Sequence, residues 1–408
     1  MDTGEFVKLS AWITEAGLAG QTETATLAGF CERALALGLP LARSTVIIDT
    51  LHPIYEGRAF NWKRDEKETS LREYGRSDEG ELAERWLRSP YYRLEESGEV
   101  LLRRRLTPET EPEFPIFSDL RPAGMTEYVA LATRFAAEGV IGGMDCVYSS
   151  WVTDAARGFH DDDIADLCRL MPVLALTMKC ASLGRIAGTL VETYLGRDPG
   201  RRVLEGRIAR GIADRIEAVL WFSDLRNYTR ISDTAAAGEI IPLLNDYADA
   251  IISAIHELGG DVLKLIGDGT LAIFTAENRT RACEAALAAA TAARRAIAQV
   301  NLRRTATSLP TADMYLGLHV GEVFYGNIGS KERLDFTVVG PAVNEVSRIA
   351  AMCRSVDQPL LISSAFASAI GEPKTRLVSI GRYALRGVGR PQHLFTLAYD
   401  PDAPDGQF

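Results

Sequence analysis

The stretch DVLKLIGDGTLAIF, residues 261–274, reads as two apolar strands joined by a tight turn. Gly267, Asp268 and Gly269 sit at the bend. Backbone geometry alone asks for such residues: glycine takes positive φ freely, and Asp bonds its own turn. Lys264 does not follow from that account, because its strand is otherwise Val262, Leu263, Leu265 and Ile266. The Lys264/Asp268 pair therefore poses a choice between turn chemistry and contact with a substrate.

The surroundings of this hairpin alternate strands and helices. EAVLWFSDL (217–225) is an apolar strand ending in Asp. AGEIIPLLNDYADAIISAIHEL (237–258) has helical spacing, with Ile240, Ile241, Leu244, Tyr247, Ala248, Ile251, Ile252 and Ile255 expected on one face. RACEAALAAATAARRAIAQV (281–300) is an alanine-rich helix. MYLGLHVGEVFYGNIG (314–329) and RLDFTVVG (333–340) are strands. PAVNEVSRIAAMCR (341–354) is a helix with proline where a helix start tolerates it. PLLIS, TRLVSIGRYALRG and QHLFTLA close the pattern as strands. The order predicts an α/β sandwich, with helices over a mostly antiparallel sheet.

The N-terminal part has a different texture. Residues 12–38 are expected helical, 44–52 a strand, 63–85 charged helix or loop, and SGEVLLRRRL (97–106) an amphipathic strand. Pro108, Pro112, Pro115 and Pro122 exclude a long helix over 107–123. YVALATRF and GVIGGMDCVYSSWVT are expected strands, and GFHDDDIADLCRLMPVLALTMKCASL a helix with an acidic start suited to the helix dipole. This succession resembles a GAF-type small-molecule sensor domain, with GFHDDDIADL similar to the start of its last helix. Any α+β domain that merely dimerises fits as well.

Composition bounds the rest. A chain of 408 residues implies two or three domains. A net charge of −10 without a basic run argues against nucleic acid or an anionic membrane as partner. The six cysteines are scattered without a CxxC pair, which predicts reduced, mostly buried thiols. The five histidines show no zinc-ligand spacing. The N-terminus MDTGEFVKLS is not a signal peptide, and LMPVLALTM is too short to cross a bilayer. A cytoplasmic protein with no membrane span is the expectation.

Four segments carry candidate chemistry. FSDLRNYT places Asp224 at a strand end, KLIGDG places Asp268 at a hairpin tip, VVGPAVNEVSR places Asn344 and Arg348 on one helix face, and YALRGVG places Arg386 in a late strand before glycine. Singly, each has a bland account: a strand terminus, a turn, a solvated helix face, a surface cation. Together, in this order, they resemble the catalytic domain of class III nucleotidyl cyclases. The likeness covers 216–398, nearly half of the chain. The family pattern is F-x-D-x-x-x-[FY]-T, then K-x-x-G-D, then G-x-x-V-N-x-x-x-R, then a late basic residue before Gly.

The resemblance implies an α+β chain whose C-terminal α/β sandwich is of class III cyclase type, with a ferredoxin-like core. Its implied boundaries are a GAF-like regulatory domain over 1–185, a connector over 186–215, a catalytic domain over 216–398 and a tail over 399–408. The connector resembles the transducer segment before many bacterial cyclase domains; a plain charged linker is the other reading. Asp224 and Asp268 become metal carboxylates for two Mg²⁺ or Mn²⁺ ions per site, since hard cations take carboxylate oxygens. Asn227, Tyr228 and Thr229 become a phosphate-facing turn. The family usually has Gly-Phe where this chain has Asn227-Tyr228, and Asn tolerates positive φ. Lys264 and Thr337 become the purine readers: an ammonium donates to adenine N1, and a hydroxyl accepts from the 6-amino group. Guanylyl members usually carry Glu and Cys there, so the pair implies ATP. The threonine form also resembles a subgroup in which bicarbonate stimulates. Asp335, two residues earlier, is set aside because the register counted from Gly340 favours Thr337.

Asn344 becomes the ribose-orienting residue, Arg348 the transition-state cation and Arg386, usually Lys, the terminal-phosphate cation. In the family, one subunit gives the aspartates and the other the remaining residues. The implied protein is a homodimeric adenylate cyclase making 3′,5′-cyclic AMP and pyrophosphate, with an unknown small-molecule or protein signal at its N-terminal domain. The alternative is a catalytically silent nucleotide-binding module of the same fold.

Overall fold

The computed structural model describes residues 1–398 apart from 67, 76–79, 108–111, 136–140, 143 and 371–376. The expected tail 399–408, Pro108 and parts of the strands expected over 139–153 and 375–387 lie outside the described residues. The chain divides into two compact units, Met1–Leu190 and Val191–Phe408.

The first unit opens with α1 (Thr3–Leu18) and α2 (Glu23–Ala36), where the sequence predicted one helix over 12–38. Asp2 starts α1 with a reciprocal capping box to Glu5, and Gly20 at φ +67° turns the chain between the two helices. Then come β1 (Arg43–Asp49), β2 (Gly57–Lys63), β3 (Ser70–Tyr74), α3 (Gly80–Leu87), α4 (Pro90–Ser97), β4 (Leu101–Arg105), α5 (Pro115–Leu120), β5 (Glu127–Arg134), β6 (Cys146–Thr153) and α6 (Asp161–Leu195). The segment expected as charged helix or loop thus contains β3, held antiparallel to β2. The strand expected from Ser97 begins only at Leu101, because Ser97 ends α4 and Gly98 at φ +73° caps it.

Among the described residues the strands form an antiparallel sheet in the order β3-β2-β1-β6-β5-β4. Period-two alternation splits its side chains. Val46, Ile48, Phe60, Trp62 and Trp151 pack with residues of α1, α2 and α6. Tyr128, Ala130 and Tyr148 pack on the other face with Tyr91 and Leu94 of α4 and Phe117 of α5. Each large apolar side chain so buried contributes about 1.5–3 kcal/mol.

The second unit comprises the end of α6, α7 (Arg197–Leu204), β7 (Ala213–Arg226), α8 (Tyr228–Thr234), α9 (Ala237–Glu257), β8 (Gly260–Ile266), β9 (Gly269–Phe274), α10 (Arg279–Ala306), β10 (Asp313–Gly329), β11 (Leu334–Val339), α11 (Pro341–Val356), β12 (Leu360–Ser363), α12 (Ser364–Ala369), β13 (Leu377–Tyr383) and β14 (Gln392–Leu397). Sheet order is β13-β14-β12-β10-β7-β9-β8, with β11 also on β10. The β10/β12 pairing is parallel and the others antiparallel, as the alternation of elements predicted.

Two clusters flank this sheet. Val219, Trp221 and Phe274 face α9 and α10, whose Ala286, Ala290 and Ala293 let the helix lie close. The buried face of α9 is Leu243, Tyr247, Ala250, Ile251, Ala254 and Ile255. That differs from the predicted face: Ile241 is 63% exposed. The helix is apolar around more than one side, so packing against α10 selects the buried stripe. On the opposite sheet face, Ala218, Leu220, Leu271 and Phe336 meet Ala342 and Val346 of α11. A Cβ on Gly317 would lie 2.7 Å from Ala350 N and 2.8 Å from Val346 O, so glycine there lets α11 rest directly on β10.

The stretch expected as connector spans the end of α6, all of α7 and the start of β7. Asp198 accepts from Arg201 at 2.5 Å, Arg202 at 2.6 Å and Tyr325 on β10 at 2.9 Å. Asp214 accepts from Arg202 and Arg207 at 3.0 and 2.5 Å. Within the second unit this stretch is tied to the sheet rather than free of it.

Candidate active site

Asp224 lies two residues from the end of β7, opposite Tyr315 of β10. It shares the side of β7 that carries Ala218 and Leu220, the side on which α11 packs. Asp268 occupies the β8–β9 bend, and its Oδ2 accepts the Leu225 N–H at 3.2 Å. The Asp268 carboxylate thus bonds across to β7, which turn chemistry alone does not call for. The Asp224 carboxyl is pushed up to about 7, first by burial and then by the hydrogen bond and charge of Asp268. Two half-buried carboxylates held side by side are a costly arrangement without a cation.

This donor set suits a hard divalent ion. Two carboxylates fill only part of its six or more oxygen positions and leave the remainder to water or phosphate. Among the described residues no cluster of three or more His, Cys, Asp or Glu forms a closed cage. A cleft of about 190 Å³ opens beside the bend, lined by Leu225, Ile241, Leu244, Leu265 and Asp268 among others.

Lys264 projects from β8 toward β11, where its ammonium pairs with the carboxylate of Asp335. Asp335 stands opposite Ile328 and Thr337 opposite Gly326, so the two share one side of β11. Thr337 is 9% exposed. The strand period puts Asp335 beside Thr337, and only the fold supplies Lys264 as its partner.

Asn344 and Arg348 lie one turn apart on exposed positions of α11. No hydrogen bond or ion pair joins either of them to Asp224, Asp268 or Lys264 among the described residues. Asn227 takes φ +63°, the left-handed conformation that Asn tolerates, and precedes the seven-residue α8. Tyr228 packs against the core beneath, and Thr229 is exposed. Arg386 departs from expectation. It sits exposed in a turn, because β13 ends at Tyr383, Leu385 is buried and Gly387 bends the chain at φ +80°.

Residues 213–398 match the family described as adenylate and guanylate cyclase catalytic domain. An uncharacterized protein of Mycobacterium tuberculosis strain CDC 1551 is 35% identical over 210 residues, 50% of this chain and 36% of that protein. A second, from strain H37Rv, has the same identity over 38% of its length. The chain thus spans little more than a third of the curated relatives it matches. The adenylyl cyclase CyaB from P. aeruginosa is 23% identical, with a TM-score of 0.44, over 47% of this chain and 98% of that one. The C-terminal unit carries a class III cyclase catalytic domain, of the adenylyl and guanylyl cyclase type. No helix among the described residues is long and apolar enough to cross a membrane.

Proposed function

We propose that the protein is an adenylate cyclase, converting ATP to 3′,5′-cyclic AMP and pyrophosphate in a homodimer whose sites are shared between subunits. The observation that carries this reading is the convergence of Asp224 and Asp268, with Asp224 raised by burial and by its neighbour. Two Mg²⁺ or Mn²⁺ ions held there would offset the triphosphate charge and acidify the ribose 3′-hydroxyl.

The other residues take roles that their chemistry supports. Lys264 donates to adenine N1 and Thr337 accepts from the 6-amino group. Asn344 orients the ribose, and Arg348 offsets charge developing at the α-phosphate. Arg386 serves the terminal phosphate, and the turn at Asn227, Tyr228 and Thr229 faces the phosphates. The bond from O3′ to the α-phosphorus forms as the bond to the β-phosphate oxygen breaks, and the 3′-hydroxyl proton passes to solvent. Because no hydrogen bond or ion pair among the described residues joins Asn344 or Arg348 to the aspartates of their own chain, a second subunit supplying them is the economical reading.

The N-terminal unit is read as a GAF-like sensor that tunes the alignment of the two catalytic domains, with residues 186–215 as the coupling element. Product formation from ATP and GTP with Mn²⁺, in the wild type and in Asp268→Ala, tests the reaction. Cyclic AMP from ATP alone, lost in the variant, is expected. Cyclic GMP would overturn the purine assignment, and no product in any condition would favour a nucleotide-binding module without turnover.

A further inference from the structure

His319 lies in mid-β10, beneath α11, and the reading above gives it no task. It is 6% exposed, and its polar partners come from β12 and α11. Nδ1 is 2.8 Å from the Ser363 hydroxyl at the end of β12. The same hydroxyl accepts the Phe366 N–H at 3.2 Å and so caps α12. Nε2 faces Glu345 of α11 at 3.9 Å. The room for this arrangement comes from Gly321: a Cβ there would stand 2.8 Å from Ala342 Cβ and 3.1 Å from His319 Nε2.

One tautomer of the ring serves both partners. A hydroxyl has one proton and two lone pairs. With one lone pair receiving Phe366 N–H, the Ser363 proton is available to Nδ1. An imidazole with its own proton on Nε2 accepts the serine hydrogen bond at Nδ1 and turns a donor toward Glu345. Glu345 is the residue after Asn344, and its side chain is 16% exposed. At 3.9 Å the contact is long for a hydrogen bond, and a shift of α11 by less than 1 Å closes it; such tightening on substrate binding is common in active sites.

We propose that His319 is a positioning residue that, through Glu345, sets the rotation of α11 and thereby the placement of Asn344 and Arg348. The proposal rests on the cyclase reading for the roles of those two residues. The full-length chain is assayed with ATP and Mn²⁺ as wild type, His319→Phe, Glu345→Ala, Glu345→Gln and the His319→Phe/Glu345→Ala pair. Melting temperatures are measured alongside.

The expected result is that each of the first two substitutions lowers kcat about tenfold and changes KM less than about twofold, because a small misplacement harms the transition state more than ground-state binding. The double variant is no worse than either single one, and Glu345→Gln, which still accepts a hydrogen bond, keeps most of kcat. Additive losses, an unchanged kcat in a folded Glu345→Ala, or loss of kcat only in step with melting temperature would overturn it.

If the wild type makes no cyclic nucleotide, the cyclase reading fails by itself, and histidine ¹⁵N spectroscopy at pH 7 decides the contact. The expected signal is a neutral imidazole protonated on Nε2, absent from His319→Phe and displaced in Glu345→Ala. An Nδ1-protonated ring, or one indifferent to Glu345→Ala, refutes the contact.

Discussion

The two sheets of this molecule are finished differently. That of the first unit packs helices on both faces, and a buried carboxylate at the start of β5, Glu127, is 1% exposed and bonded to Arg103 and the Phe159 N–H at 2.8 and 2.6 Å. The sheet of the second unit packs α9 and α10 on one face and α11 on part of the other. Asp224 lies on that partly covered side by the alternation of β7, and Asn344 and Arg348 are exposed on α11. A closed face satisfies its polar groups internally and stabilises the fold. A partly open face leaves charges to be satisfied by something outside the chain, which is what a binding site is.

The sharpest way to break this contrast is Asp268→Ala. Under the proposed reaction, cyclic AMP formation falls about 10³-fold, the equivalent of the several kcal/mol that metal-held charge supplies, while circular dichroism stays unchanged. Mixing Asp268→Ala with Arg348→Ala subunits restores roughly a quarter of wild-type activity if sites are shared, because random pairing makes half of the dimers mixed and each mixed dimer has one intact site. No recovery in the mixture means that each chain builds its site alone.

A smaller effect is expected at the purine end. Lys264→Ala raises the KM for ATP about tenfold and erodes the preference for ATP over GTP, as loss of one charged hydrogen bond does. Asp335→Asn changes KM about threefold or less, since both partners of its ion pair are roughly 40% exposed and such pairs are worth little. Equal effects of the two substitutions would mean that Asp335 reads the base directly.

The packing side of the contrast is tested by Gly317→Ala. Its methyl meets backbone atoms of α11, which cannot swing aside, so stability falls by about 1–3 kcal/mol in denaturant unfolding. An unchanged midpoint would show that α11 is loosely seated.

The mildest test lies in the first unit. Asp49 is raised from the ordinary value of 3.8 to about 7, first by burial and then by Asp145, Glu56 and Glu95. Between those values the folded chain binds more protons than the unfolded one, so stability falls as pH rises from about 4 to 7. Thermal unfolding across that range becomes flatter in Asp49→Asn. An unaltered slope would mean that Asp49 is ordinarily ionised.

Much of the second unit was legible because its signals are local. The β8–β9 hairpin, the strand ending at Asp224 and the helix starting at Pro341 are each written in a few consecutive residues. The first unit was harder to read. β3 has all its residues exposed and no apolar alternation, and α1 and α2 run together in sequence because the break between them is a single glycine turn.

By itself the sequence determined which groups are available: two acidic residues at strand and turn ends, an ammonium within an apolar strand, and an Asn and an Arg one helical turn apart. Turn chemistry and period-two or period-3.6 spacing act over a few residues, so the chain states them directly. Tertiary structure alone decided which of these groups meet. It tied Asp268 to the end of β7, gave Lys264 to Asp335, turned Ile241 outward, moved Arg386 from a strand into a turn and set α11 on two glycines above His319. Contacts between residues 43 and 71 positions apart depend on which strands are neighbours and on which helix face is buried, and neither is a local property of the chain.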